Sequence, residues 1–249
     1  MKVVFGSGLL FALTASLAGA QTVVGRNDDT WTTHETLARG QRLRLTSPNG
    51  TITISPSTGN EVEIRAEKRA ERGARIEDVG FVVKKSSEGL VVCAVYDDGD
   101  DCDLADGYQQ SRRRWRDGWN APRVNFIVRM PAGVLLQAET GNGDVRVTTS
   151  DGPVTARSGN GDIDVSMARI ERAAEMSFST GSGRIVLSVP GSFGAELEGS
   201  TGNGEISSEL PMRVEGRINP RRIRGTLGGG GERLALNTGN GDIQIRRAN

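Results

Sequence analysis

One short signature recurs five times along the chain, and no other property restricts the fold as tightly. Thr140-Gly141-Asn142-Gly143-Asp144-Val145 returns as Ser158-Gly159-Asn160-Gly161-Asp162-Ile163 and as Thr180-Gly181-Ser182-Gly183-Arg184-Ile185. Two further copies are Thr201-Gly202-Asn203-Gly204-Glu205-Ile206 and Thr238-Gly239-Asn240-Gly241-Asp242-Ile243. Their first glycines are separated by 18, 22, 21 and 37 residues. The last interval is about two units long, and Gly225 to Gly231 reads as a decayed copy within it. Asn49-Gly50-Thr51-Ile52-Thr53-Ile54 reads as an earlier echo. Within a unit, alternating runs such as Val145-x-Val147 and Val154-x-Ala156 flank Ser150-Asp151-Gly152-Pro153, the pattern of strand, turn, strand, turn.

A repeat of roughly 20 residues built from two strands cannot bury its own apolar face and must stack on neighbours. The expected fold is therefore all-β, a single-domain β-solenoid of short stacked strands. In it Asn142, Asn160, Ser182, Asn203 and Asn240 fall at successive corners. Val145, Val147, Ile163, Val165, Ile185, Leu187, Ile206, Ile243 and Ile245 form an internal column. The alternative is an antiparallel β-sandwich or meander, in which each Asn-Gly closes a two-residue hairpin. Aromatic residues make up only 4% of the chain against 34 glycines, which suits a core of small branched side chains rather than one of large rings.

Lys2 followed by an apolar run from Val3 to Leu17 and the triplet Ala18-Gly19-Ala20 has the form of a cleaved signal peptide, residues 1–20. No later segment has the length and apolarity of a membrane-spanning helix. Residues 21–40 read as a lead segment and 41–249 as one β-repeat domain. Strand patterns begin at Leu43-x-Leu45 and continue through Ile52-x-Ile54, Val62-x-Ile64, Phe81-Val82-Val83 and Leu90-Val91-Val92. Lys plus Arg and Asp plus Glu each number 31, so no nucleic acid or other polyanion is implied as a partner. In an exported chain the two cysteines, Cys93 and Cys102, are expected to form a disulfide.

Between Tyr96 and Val124 the strand pattern is interrupted by a polar insertion, residues 97–122, longer than an ordinary connection. It opens with Asp97-Asp98-Gly99-Asp100-Asp101-Cys102-Asp103 and continues to Arg112-Arg113-Arg114-Trp115-Arg116 and Trp119. The arginines, Trp115, Trp119 and Tyr108 form the candidate contact surface, because guanidinium forks pair with carboxylate or phosphate and exposed indoles anchor partners. The competing reading has Trp115 and Trp119 folded back over the stack and the arginines paired with nearby aspartates. No register of the acidic run supplies the ligand spacing of an EF-hand. The corner acids Asp144, Asp162, Glu205 and Asp242 follow their glycine directly, unlike a calcium-binding nonapeptide roll, and Arg184 interrupts them. No metal and no cofactor is expected.

Several of these features together resemble the bacterial putative-adhesin family of β-strand-repeat proteins, a domain of unknown function. They are the strand end Cys93-Ala94-Val95-Tyr96, the run Asn125-Phe126-Ile127-Val128-Arg129 leading into Met130-Pro131-Ala132-Gly133-Val134, the serial Gly-Asn-Gly-Asp units, and the closing Leu236 to Ile243. The resemblance extends from about Arg42 to Arg247. It implies an all-β repeat fold, export and a surface role, and supplies no catalytic residues.

The function expected is that of a non-enzymatic adhesin-like module that binds or scaffolds in the cell envelope, periplasmic, cell-surface or secreted, with glycan, cell wall or an envelope protein as partner. Two alternatives are a polysaccharide-degrading solenoid and an envelope sensor or accessory protein. Against an enzyme stand the single His34 outside the repeats and the lack of a Gly-x-Ser-x-Gly elbow, metal-ligand spacing or phosphate loop.

Overall fold

The computed structural model describes residues 22–70, 73–110, 121–149, 151–170, 174–215 and 219–248. The expected signal peptide lies outside the described residues, as do Arg112, Arg113, Arg114, Trp115, Arg116 and Trp119. Among the described residues the fold is all-β apart from one 3₁₀ turn, Ile76–Asp78. None of them forms a helix long and apolar enough to cross a membrane.

Strands β1 (Val23–Val24) and β2 (Thr30–Thr36) precede β3 (Arg42–Asn49), β4 (Ile52–Pro56) and β5 (Glu61–Arg69). Next come β6 (Gly80–Lys85), β7 (Gly89–Val95), the small hairpin β8 (Asp101–Asp103) and β9 (Gly107–Gln109), and β10 (Arg123–Met130). The repeats supply β11 (Leu135–Asn142), β12 (Val145–Thr149), β13 (Val154–Asn160), β14 (Ile163–Met167), β15 (Met176–Ser182) and β16 (Ile185–Val189). They continue with β17 (Ala195–Asn203) and β18 (Ile206–Ser208), then β19 (Met212–Val214), β20 (Arg222–Leu227), β21 (Arg233–Asn240) and β22 (Ile243–Arg247).

Two large sheets result. Eleven strands run in the order β1-β6-β7-β3-β11-β13-β15-β21-β17-β20-β19, and nine in the order β18-β22-β16-β14-β12-β4-β10-β5-β2. Each coil places one strand in either sheet: β3/β4, β11/β12, β13/β14, β15/β16, β21/β22 and β17/β18. Like strands of adjacent coils pair in parallel and in register, as Asn142 does with both Asn49 and Asn160. The middle is thus a parallel stack. Its two ends are antiparallel, with β6 on β7, β5 on β10, β2 on β5, and β20 between β17 and β19.

The coil order departs from the sequence order. The last repeat, β21/β22, sits between β15/β16 and β17/β18, so the corners run Asn49, Asn142, Asn160, Ser182, Asn240, Asn203. Among the described residues no decayed coil fills the 37-residue interval. Gly225 lies in β20, antiparallel to β19, where an added Cβ would fall 2.3 Å from the Arg213 carbonyl oxygen. The interval folds as a hairpin on the edge of the sheet because antiparallel neighbours need only a short connection. The Asn49-Gly50 echo is a true corner: Gly50 N donates to Asn142 O at 2.8 Å and Ile52 N to Asp144 O at 2.9 Å.

Every position of the signature meets a neighbour one coil away. The leading Thr or Ser turns inward and donates to the second glycine's carbonyl of the adjacent coil: Thr180 Oγ1 reaches Gly161 O at 2.8 Å and Thr238 Oγ1 reaches Gly183 O at 2.8 Å. The first glycine faces its counterpart so closely that a Cβ on Gly159 would lie 2.4 Å from Gly141 O. Asparagines form an amide ladder, with Asn160 Nδ2 donating to Asn142 Oδ1 at 3.0 Å and Asn203 Nδ2 to Asn240 Oδ1 at 2.7 Å. The corner carboxylates accept backbone N–H groups, Asp162 N to Asp144 Oδ1 at 2.9 Å and Glu205 N to Asp242 Oδ1 at 3.0 Å. They are thereby built into the turns, and among the described residues no group of His, Cys, Asp and Glu is arranged to hold a metal.

Inward residues of both sheets make one continuous core. Leu43, Leu136, Val154, Met176, Leu234 and Leu197 line one side, and Ile52, Val145, Ile163, Ile185 and Ile243 the other. Phe178 is accommodated because the row is small on one side of it, Ala156 and then Ala138, while Leu236 packs on the other. Ile206 is only partly buried, since it belongs to the terminal coil.

Candidate functional site

The coil formed by β7 and β10 lacks a glycine corner and carries the 97–122 insertion there instead. Its first part, the β8–β9 hairpin, lies on the outer face of the eleven-stranded sheet. Alternation explains how: Leu43 and Leu45 of β3 point into the core, so Arg44 and Thr46 point out. Both are nevertheless buried, at 7% and 6% exposure.

Four ties hold the hairpin down. Cys93 of β7 is bonded to Cys102 of β8, with their Cα atoms 6.2 Å apart. Arg44 Nη1 donates to Leu104 O at 3.2 Å and Ala105 O at 2.7 Å, while its Nη2 reaches Asp106 O at 3.3 Å and Glu139 Oε1 at 3.2 Å. The guanidinium lies so close under the hairpin that a Cβ on Gly107 would fall 2.3 Å from Nη2. Asp100 is buried, and its Oδ2 accepts Tyr96 N, Asp97 N and the Tyr108 hydroxyl at 3.0, 3.0 and 2.9 Å. Finally, the Tyr96 hydroxyl donates to Pro122 O at 2.9 Å, joining the two ends of the insertion.

A small apolar cluster fills the space beneath, with Val82, Val91, Cys93, Val95 and Cys102 buried and Leu104 and Tyr108 packed against them. Burial, and then the Asp100 carboxylate, push the Tyr108 phenol well above its ordinary pKa. That hydroxyl stays protonated and stays on Asp100. The acidic run is likewise absorbed in local structure: Asp103 Oδ1 accepts Ala105 N at 2.9 Å and Asp106 N at 2.6 Å. Asp101 accepts Cys102 N and the Lys84 ammonium, which hold its carboxyl below the usual range.

Beside the hairpin the same face of the sheet forms a trough of about 510 Å³. Its floor is one cross-strand row, Thr46 on β3, Glu139 on β11, Arg157 on β13 and Ser179 on β15, each the register partner of the next. Tyr108 and Gln110 line it from the hairpin side. Glu139 is oriented by Arg44, whereas Arg157 is exposed and has no hydrogen-bond or ion-pair partner among the described residues. Three buried polar atoms here and in the adjoining row also lack partners: Thr46 Oγ1, Arg44 Nε and Gln137 Oε1.

Of the residues expected to form the contact surface, Tyr108 is the one within the described residues, and it lines this trough. Arg44, Thr46, Glu139, Arg157 and Ser179 escaped the sequence reading. A signal for the row does exist: each of Thr46, Glu139, Arg157 and Ser179 immediately precedes the inward Ser or Thr of its unit, so one outward position per coil spells out the floor.

Residues 135–246 match the Toastrack DUF4097 family. A putative cell adhesion protein from Clostridium sporogenes shares the fold, with a TM-score of 0.57 at 14% identity over 88% of this chain and 100% of that one. A putative adhesin from Bacteroides fragilis aligns over 88% of this chain and 98% of its own, with a TM-score of 0.30 at 10% identity. No curated protein matches the sequence. The stretch that matches the Toastrack DUF4097 family is thus the one that runs from β11 into β22 and carries the five glycine corners of the signature.

Proposed function

We propose that the protein is an exported, non-enzymatic binding module of the cell envelope that engages its partner through the outer face of the eleven-stranded sheet beside the 97–122 insertion. One observation carries this reading: the trough over Thr46, Glu139, Arg157 and Ser179, flanked by a hairpin fixed through Cys93–Cys102 and Arg44. Sites held by rigid elements keep their geometry without paying ordering entropy on binding. The disulfide suits an oxidising compartment, in line with the signal-peptide pattern of residues 1–20. The lead segment contributes β2 to the nine-stranded sheet, so residues from 22 onward act as one unit in this reading. Glycan, cell wall and an envelope protein are the partner classes that fit a polar, rigid face.

Co-sedimentation of the secreted chain with purified envelope fractions tests the proposal. Retention by one fraction, reduced when the 97–122 insertion is replaced by a Gly-Asn-Gly corner, is the expected result. Failure to be retained by any fraction contradicts it. So does turnover of a polysaccharide that a single carboxylate substitution abolishes.

A further inference from the structure

We infer that the trough is a binding site for an acidic saccharide, its uronate-type carboxylate on Arg157 and its hydroxyls on Thr46, Glu139, Ser179 and Gln110. This inference rests on the binding-module reading and names the ligand class for it.

Charge selects the acid. Arg157 and Glu139 are the two charged residues lining the trough among those described, and the Glu139 carboxylate is already compensated by Arg44 at 3.2 Å. What is left over is one guanidinium without a partner, whose fork matches a carboxylate in bidentate fashion. Hydroxyl groups on the ligand follow from the orphaned atom. Thr46 Oγ1 is buried, lines the trough and makes no hydrogen bond, a state that costs on the order of 1–3 kcal/mol for a buried polar group. A sugar hydroxyl can donate to it or accept from it. Glu139 adds an acceptor held in place by Arg44, and Ser179 and Gln110 add groups of either sense. Tyr108, its hydroxyl committed to Asp100, contributes ring surface of the kind that packs on sugar C–H faces.

The geometry of the floor argues against a peptide. All four strands of the row are interior to the sheet, so their backbone groups are used by neighbours and no edge is free for strand addition. Apolar side chains in the lining are limited to Pro48 and the Tyr108 ring, too few for the anchor pockets of a helix or proline-rich segment. Strand spacing of about 4.8 Å makes the row from Thr46 to Ser179 about 14 Å long, and a saccharide chain lying across the strands would meet one side chain at each step.

Calorimetric titration of the secreted chain with oligomers of galacturonate and of glucuronate, and with maltotriose as the neutral probe, is decisive. The proposal expects one of the uronates to bind at least tenfold more tightly than maltotriose. Arg157→Ala should weaken uronate binding at least tenfold and Thr46→Val severalfold, while Arg129→Ala, an exposed arginine on the opposite sheet, changes nothing. No uronate binding, equal affinity for maltotriose, or an Arg129→Ala effect as large as that of Arg157→Ala overturns it. The same variants in the envelope co-sedimentation separate the two readings. If Arg157→Ala is retained as fully as the parent chain, the trough is the wrong site while the binding module stands; if the parent is not retained at all, the module itself fails.

Discussion

At Gly161 a methyl group would sit 2.1 Å from the Gly143 carbonyl oxygen, on a backbone whose φ is +153°. Neither the contact nor the conformation admits a side chain, and the coil that carries Gly143 cannot retreat without breaking the Gly143 N to Asn160 O bond of 2.8 Å. Gly161→Ala should therefore destabilise the chain by more than about 2 kcal/mol, measured by chemical denaturation. Gly229→Ala, where nothing lies within 4 Å, should leave stability within about 0.5 kcal/mol. A second residue-scale expectation concerns Lys68, which turns inward on β5 and donates to four carbonyls, among them Val79 O at 2.8 Å and Arg26 O at 3.0 Å. Burial lowers its pKa from 10.5 to about 8. Between those values the folded chain holds fewer protons than the unfolded one, so this residue makes stability rise with pH across the window. Denaturation midpoints compared at pH 8 and pH 10 should show the rise, and Lys68→Met should remove it. The corner glycines were legible in the sequence because repetition exposes them. Lys68 and Arg44 were not, since a single charged residue within an alternating run looks the same whether solvent or a carbonyl cage awaits it.

The coil of β15/β16 departs from its siblings at two corner positions. Ser182 stands where the others have Asn, and the Asn240 Nδ2 to Ser182 Oγ distance is 3.4 Å, against 3.0 and 2.7 Å between asparagines elsewhere in the ladder. Arg184 replaces the corner acid and turns back to Asp162 at 3.1 Å, so this coil offers no carboxylate to the next. Both departures face β21/β22, the element inserted out of sequence order. Ser182→Asn should complete the ladder and raise stability by about 1 kcal/mol, read as an increase in melting temperature; a decrease would show that the seam requires the serine. Strands within the units were recognisable from alternation and their column of branched residues. The β8–β9 hairpin looks like loop in the sequence, because three-residue strands in a polar insertion carry no periodic signal and are held by contacts distant in sequence, above all Arg44 and Cys93.

Across the whole molecule, stacking and hairpin pairing are both used, the first in the middle and the second at the ends. The repeat spacing carried the parallel middle, and the 37-residue interval marked the place where the order breaks. It could not tell which coil closes on which, because all five corners present nearly the same chemistry to one another and the choice is made by the chain between them. The coil of β17/β18 therefore gains its parallel partner only when β21/β22, which follows it in sequence, has formed. The spatial order is best tested with engineered cysteine pairs at the corners. Adjacent in-register corners lie about 4.8 Å apart, within reach of a disulfide, and corners two coils apart lie about 9.6 Å apart, beyond it. The fold predicts that Ser182→Cys with Asn240→Cys, and Asn240→Cys with Asn203→Cys, crosslink readily under oxidation while Ser182→Cys with Asn203→Cys does not. Efficient crosslinking of the 182 and 203 pair, with none through position 240, would contradict it.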